Sequence, residues 1–182
     1  MKDGPILMNA EMVRATLDGR KTQTRRIAKL NAAGRVEKGG RNWHVEDAAA
    51  VIACPYGAVG DTLWVRETWQ SEGVHGHERD FPVRYRASDD DRVMGGRWRP
   101  SIFMPRWASR ITLRITDVRI ERLQDISNED AAAEGWLGPD EANTIRNAYP
   151  IAWYSHLWES INGRGSWAEN PFVWAISFEV VK

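Results

Sequence analysis

Alternation of apolar and polar positions divides the chain into short strands, with three stretches of helical spacing between them. "TLWVR" sets Leu63 and Val65 against Trp64 and Arg66, predicting a half-buried strand after the turn-forming run "CPYGAVGD". "VRYRA" repeats the pattern, with Val83 and Tyr85 opposite Arg84 and Arg86. In "SRITLRITDVRIERL", Ile111, Leu113 and Ile115 alternate with Thr112, Arg114 and Thr116. The apolar phase then slips between Ile115 and Val118, which predicts a bulge. "PFVWAISFEVV" predicts a last strand from about Phe172 to Val180, with Phe172, Trp174, Ile176 and Phe178 on one apolar face.

The helical stretches carry their own start and stop signals. Asn9 caps a short helix with Glu11 in its first turn and Met12, Ala15 and Thr16 on one side. Gly19 stands where a left-handed residue ends it. Ser127 and Asp130 open the alanine-rich "SNEDAAAEG", which Gly135 stops. A third helix over about Tyr149 to Asn162 brings Trp153, Leu157 and Ile161 to one face. Residues 30–40 and 72–96 read as enlarged loops, and no repeat or linker interrupts the chain. The expectation is a single α+β domain over 1–182, built on a small curved or closed sheet.

Composition narrows the function classes. Among 182 residues, 25 basic side chains balance 25 acidic ones, so any nucleic-acid-binding surface must be local. Cys54 is the only cysteine, which suits a reducing compartment. No apolar run is long enough to span a bilayer, and the start lacks a signal-peptide pattern, so the expectation is a soluble cytoplasmic protein with no membrane partner. His44, His75, His77 and Cys54 lack the spacing of a zinc site, and "VMGGRW" lacks the lysine of a phosphate loop. Neither a metal nor a cofactor is expected.

The run "GRKTQTRR", Gly19 to Arg26, is the one candidate for chemistry. It packs a lysine, two threonines and three arginines into a turn directly after a helix stop. A threonine hydroxyl is inert until a proton acceptor or a charge is in contact with it, and residues three apart can converge in a turn. A second group, Trp64, Glu67 and Trp69 in "WVRETW" with Arg106 in "MPRWASR", offers flat rings and charges for a base edge. Strand alternation puts Trp64 and Arg66 on one face and Glu67 and Trp69 on the other, so one pocket cannot hold all four without a bulge. Each tryptophan alone is more commonly core, and a buried Glu67 needs an arginine or a ligand as partner.

The pattern Gly19-x-Lys21-x-x-Thr24-x-Arg26 resembles the signature of the ASCH family, whose fold is a PUA-like small β-barrel with flanking helices associated with RNA. The threonine form resembles that of the bacterial 4-acetylcytidine amidohydrolases. Over "MNAEMVRATLDGRKTQTRR", "GDTLWVRETW", "PSIFMPRWASRITL" and "LWESING" the chain also resembles ASCH-like proteins of phages and prophages. The resemblance implies catalytic roles for Lys21 and Thr24, and through "ISNEDAAAEGW" for Glu134. Arg26, Trp64, Glu67, Trp69 and Arg106 are the candidates for binding the substrate, chosen by their chemistry. The implied activity is removal of an acyl group from a small cytidine-like nucleoside. Lys21 would activate Thr24 while Glu134 passes the proton to the leaving amine; in the inverse arrangement, charged Lys21 steadies the oxyanion and Glu134 is the base. The rival functions are a non-catalytic RNA-binding module, with arginines on phosphates and tryptophans on bases, and a ribonuclease of ASCH type.

Overall fold

The structure, a computed structural model, describes residues 1–71, 78–88, 97–139 and 149–181. In chain order the elements are β1 (Asp3–Leu7), α1 (Ala10–Leu17), β2 (Gln23–Ile27), β3 (Arg35–Lys38), β4 (Arg41–His44), β5 (Thr62–Arg66), β6 (Trp69–Ser71), β7 (Val83–Tyr85), β8 (Thr112–Arg122), α2 (Asn128–Ala133), α3 (Pro150–Asn162) and β9 (Phe172–Val180). Five strands form the central sheet in the order β1-β5-β8-β9-β2, with β1 and β5 parallel and the other pairs antiparallel. The fold is mixed α+β.

The sheet is not closed into the barrel that the resemblance implies. β1 and β2 are its two edges, and among the described residues no backbone ladder joins them. The side chain of Arg26 reaches across instead, its Nη2 donating to the carbonyl of Leu7 at 2.8 Å. One arginine spans what a barrel would close with a ladder.

Local signals place most of the elements. The Asn9 side chain accepts from the Met12 amide, and Gly19 takes φ +75° after α1. Ser127 accepts from the Asp130 amide at the start of α2, and Gly135 follows its end at φ +114°. A Cβ at Gly135 would meet that of Ala15 at 2.9 Å, so both the turn and the close approach to α1 demand glycine. The register of β8 against β9 shifts between Ile115 and Asp117, where the apolar phase slips.

Two expectations change. Part of the loop expected over 30–40 is the hairpin of β3 and β4, which turns at Gly39 and Gly40, both at positive φ. On α3 the buried residues are Tyr154 and Trp158, one position on from the stripe of Trp153, Leu157 and Ile161; Ile161 is exposed. The reason lies in β9, which is buried on both faces rather than one. Trp174, Ile176 and Phe178 face the main core, while Val173 packs with Leu123, Ile126, Ala131, Tyr154 and Trp158. Tyr154 and Trp158 are the α3 side chains buried in this second layer, with Ile151, Trp153 and Leu157 partly buried against it. Of the loop expected over 72–96, only 78–88 are described, and they carry β7.

Candidate active site

Strand alternation along β2 sorts the charged run. Gln23 and Arg25 stand opposite Ser177 and Ala175, on the face covered by α2 and α3, whereas Thr24 stands opposite Ile176 of the main core. The turn before β2 lets Lys21 bridge to Glu134 at the end of α2, in an isolated antiparallel pair. Lys21 and Glu134, 113 positions apart, therefore meet.

Lys21 is wholly enclosed. Its Nζ donates to the Gln23 carbonyl at 2.8 Å, the Glu134 carbonyl at 3.0 Å and Glu134 Oε2 at 2.6 Å. Three acceptors match the three N–H groups of an ammonium; a neutral amine has only two to give. Burial pushes the lysine pKa down, and Arg26 and Arg25 add to that push, while the Glu134 carboxylate opposes it. With all its protons engaged, Lys21 presents no lone pair to a hydroxyl.

Arg25 ties this pair to a wider network. Its guanidinium donates to Glu134 Oε1 at 3.4 Å, Glu121 at 2.7 Å and Asp130 at 2.9 Å, and also to the Gln23 side chain. The Tyr154 ring centroid lies 6.0 Å from the same guanidinium. Burial, and then the negative charge of Glu134, push the Tyr154 phenol well above its usual range, so it stays a neutral donor.

A cavity of about 390 Å³ opens beside this network, at the seam between the sheet's two edges. Leu7, Met8 and Asn9 bound it from β1 and the start of α1, and Arg25, Arg26 and Ile27 from β2. α3 contributes Tyr154, Leu157, Trp158, Ile161 and Asn162, and Glu134 forms part of the wall with Thr68 and Ser101. Apolar walls with a few polar groups converging on one side are the usual make-up of a small-molecule site.

The expected site residues divide. Glu134 and Arg26 line the cavity, and Lys21 stands behind Glu134. Thr24 is fully buried, and its hydroxyl has neither solvent access nor a hydrogen-bond partner, so it is hydrogen-bonded to neither Lys21 nor Glu134. The other four candidates lie elsewhere. Glu67 is buried, but its partner is an arginine: Arg110 donates to both carboxylate oxygens at 2.8 and 3.0 Å. Trp69 is core, packed edge-to-face against Trp107 with centroids 5.8 Å apart. Trp64 is half-buried on the outer sheet face with Arg66 and Arg106 over its ring at 5.2 and 5.8 Å, and Arg106 also pairs with Asp3. Sequence reasoning missed Tyr154 and Trp158. A tyrosine four residues before a tryptophan on an amphipathic helix was the available signal.

Among the described residues no cluster of three or more His, Cys, Asp or Glu could hold a metal ion, and no helix is long and apolar enough to cross a membrane. His75 and His77 lie outside the described residues.

No protein-family model matches the sequence, and no curated protein matches it. Two solved structures are similar to it. One is an ASCH domain from Lactobacillus crispatus JV V101, 12% identical with a TM-score of 0.46, the match covering 99% of this chain and 80% of that one. The other is protein EF3133 from Enterococcus faecalis V583, described under the family model DUF984, 13% identical with a TM-score of 0.46, covering 100% of this chain and 80% of that one. At such identity the likeness concerns the path of the chain and says nothing of chemistry.

Proposed function

We propose that the chain is an ASCH-type hydrolase whose seam cavity binds a nucleoside-like small molecule, and that Glu134 is the base removing an acyl group from its exocyclic amine. The observation that carries this is the Glu134 carboxylate, buried and paired with Lys21 and Arg25, on the wall of a cavity large enough for a nucleoside. A charged cluster buried beside a cleft is where acid–base chemistry concentrates. The resemblance of Gly19 to Arg26 to the 4-acetylcytidine amidohydrolases supports the choice of reaction.

In this reading the inverse arrangement of charges applies, with Lys21 a fixed ammonium behind the base. A water molecule gives a proton to Glu134 and its oxygen adds to the acyl carbon. The oxyanion formed there is steadied by Arg25 or Arg26, the cations on the wall. Glu134 returns the proton to the leaving nitrogen, the C–N bond breaks, and a carboxylic acid and the free amine are released. Thr24 has no part, because its hydroxyl faces the main core.

Release of cytidine from 4-acetylcytidine, followed by chromatography, tests the proposal. Glu134→Gln should abolish release, while Thr24→Ala should keep at least half of the wild-type rate. Loss of activity in a folded Thr24→Ala protein would restore the threonine nucleophile. No release by the wild type from any of a panel of acylated nucleosides would end the hydrolase reading. A second reading, an RNA-binding module, is favoured by the two guanidiniums over Trp64. It requires single-stranded RNA affinity that falls steeply with salt.

A further inference from the structure

Arg26 differs from the other cations of the cavity. Lys21 and Arg25 are ion-paired with Glu134, and Arg25 with Glu121 and Asp130 as well. The Arg26 guanidinium donates only to the carbonyls of Leu7 at 2.8 Å and Arg25 at 3.2 Å, and among the described residues no carboxylate pairs with it. A guanidinium has five N–H groups, so three of them remain for a ligand.

More donors stand beside it on the same wall. Leu7, whose carbonyl Arg26 holds, lies two residues before Asn9, the cap of α1, and both line the cavity. The Asn9 side chain takes the Met12 amide, which leaves the Ala10 and Glu11 amides without an acceptor among the described residues. Free amides and the helix dipole favour negative charge at this end. The Glu11 carboxylate does not fill that place, for Glu11 lines a different cavity with Arg14, Asp18 and Arg20. Trp158, 4% exposed, forms part of the first cavity's wall, and its indole N–H has no acceptor among the described residues.

Resting on the nucleoside reading just given, we infer that the ligand is a nucleotide and that Arg26 and the first turn of α1 hold its phosphate. A phosphate monoester brings negative charge and three acceptor oxygens, which answers an unpaired guanidinium and neighbouring free amides together. A sugar hydroxyl in the same place brings no charge. The reacting end is kept apart from this one. Glu134 comes from α2 on the β2 side of the seam, its charge held by Lys21 and Arg25, whereas the Arg26 head lies against β1. A molecule lying across the cavity thus meets the carboxylate with its base and the guanidinium with its phosphate, and the two anions stay separate. Arg26 is then a binding residue, and steadying the oxyanion falls to Arg25.

Calorimetric titration of the full chain with cytidine and with cytidine 5′-monophosphate tests this. At low salt the wild type should bind the monophosphate more tightly by about tenfold or more, the effect of one charge-assisted hydrogen bond. That ratio should shrink toward unity at about 0.5 M salt. Inorganic phosphate should compete with the monophosphate and leave cytidine binding unchanged, a measurement that needs no variant. Arg26→Gln should bring the ratio close to unity, while Arg26→Lys, which restores the charge, should keep most of it; thermal unfolding shows whether each is folded. Equal affinities in the wild type overturn the phosphate site and leave the nucleoside reading standing. So does an unchanged ratio in folded Arg26→Gln. A trinucleotide bound far more tightly than the monophosphate overturns the single nucleotide in favour of RNA. Binding of neither cytidine nor its monophosphate overturns the cavity reading, and this inference with it.

Discussion

Replacing Lys21 by methionine keeps most of the aliphatic stem and removes the charge, which isolates the electrostatic role of the buried pair. Lys21 and Glu134 side chains are 0% and 2% exposed, so solvent screening does not soften their interaction at 2.6 Å. Removing one partner of such a pair costs about 3–5 kcal/mol, because the other charge stays buried. Arg25 still faces Glu134 at 3.4 Å, and the desolvation of the ammonium is itself removed, so the lower end of that range applies. The carbonyls of Gln23 and Glu134 lose a donor, which offsets the relief. The expected loss is about 3 kcal/mol, a fall in melting temperature of about 6–12 °C for a chain of this size. Urea unfolding followed by circular dichroism measures it. In a Glu134→Gln background the same replacement should cost less than half as much, since no buried anion is then stranded. A Lys21→Met protein as stable as the wild type would refute the reasoning, as would strictly additive losses in the double variant.

Trp69→Ala should lose about 3–5 kcal/mol of stability with nucleoside affinity unchanged in the folded fraction, because the ring is core and away from the cavity; weaker binding at full occupancy of the fold would contradict that placement. Alkaline stability should separate Tyr154 from Lys21. The folded pKa of Tyr154 is raised, so its contribution is complete below about pH 10 and is lost as pH rises through the folded value. The folded pKa of Lys21 is lowered, so the unfolded chain binds more protons and stability rises with pH up to about 10.5 from this group. Tyr154→Phe should therefore lose less stability than the wild type between about pH 10 and 11.5 in denaturant titrations, and parallel curves would refute the buried phenol.

Much of the fold is legible because its signals are local. Asn9, Gly19, Ser127 and Gly135 each mark an end that the backbone itself requires, and the slip after Ile115 is visible as a broken alternation. The faces of α3 are not legible in this way. Tryptophans at 153 and 158 and a tyrosine at 154 give two overlapping apolar stripes, and only the second layer on β9 decides between them. The site shows the same division. The meeting of Lys21 with Glu134 spans 113 positions, and nothing in spacing or charge announces it; only the resemblance points there. Thr24 looks reactive by company, yet in-register pairing with Ile176 turns it to the core. Glu67 and Trp69 carry the right chemistry for a base, but Arg110 and the Trp107 ring already engage them.

The seam between β1 and β2 gives the cavity an unusual doorway. A closed barrel admits a ligand from the side only by parting a ladder of backbone bonds, an event close in free energy to unfolding. Here the span is an arginine side chain on one carbonyl oxygen. A hydrogen bond with a charged donor is worth about 1.5–3 kcal/mol, so this span parts at far lower cost than a ladder of backbone bonds. The seam can then part by the swing of one flexible side chain, on the timescale of rotamers rather than of sheets. Because Arg26 also lines the cavity, the side chain that spans the seam also faces the space open to a ligand.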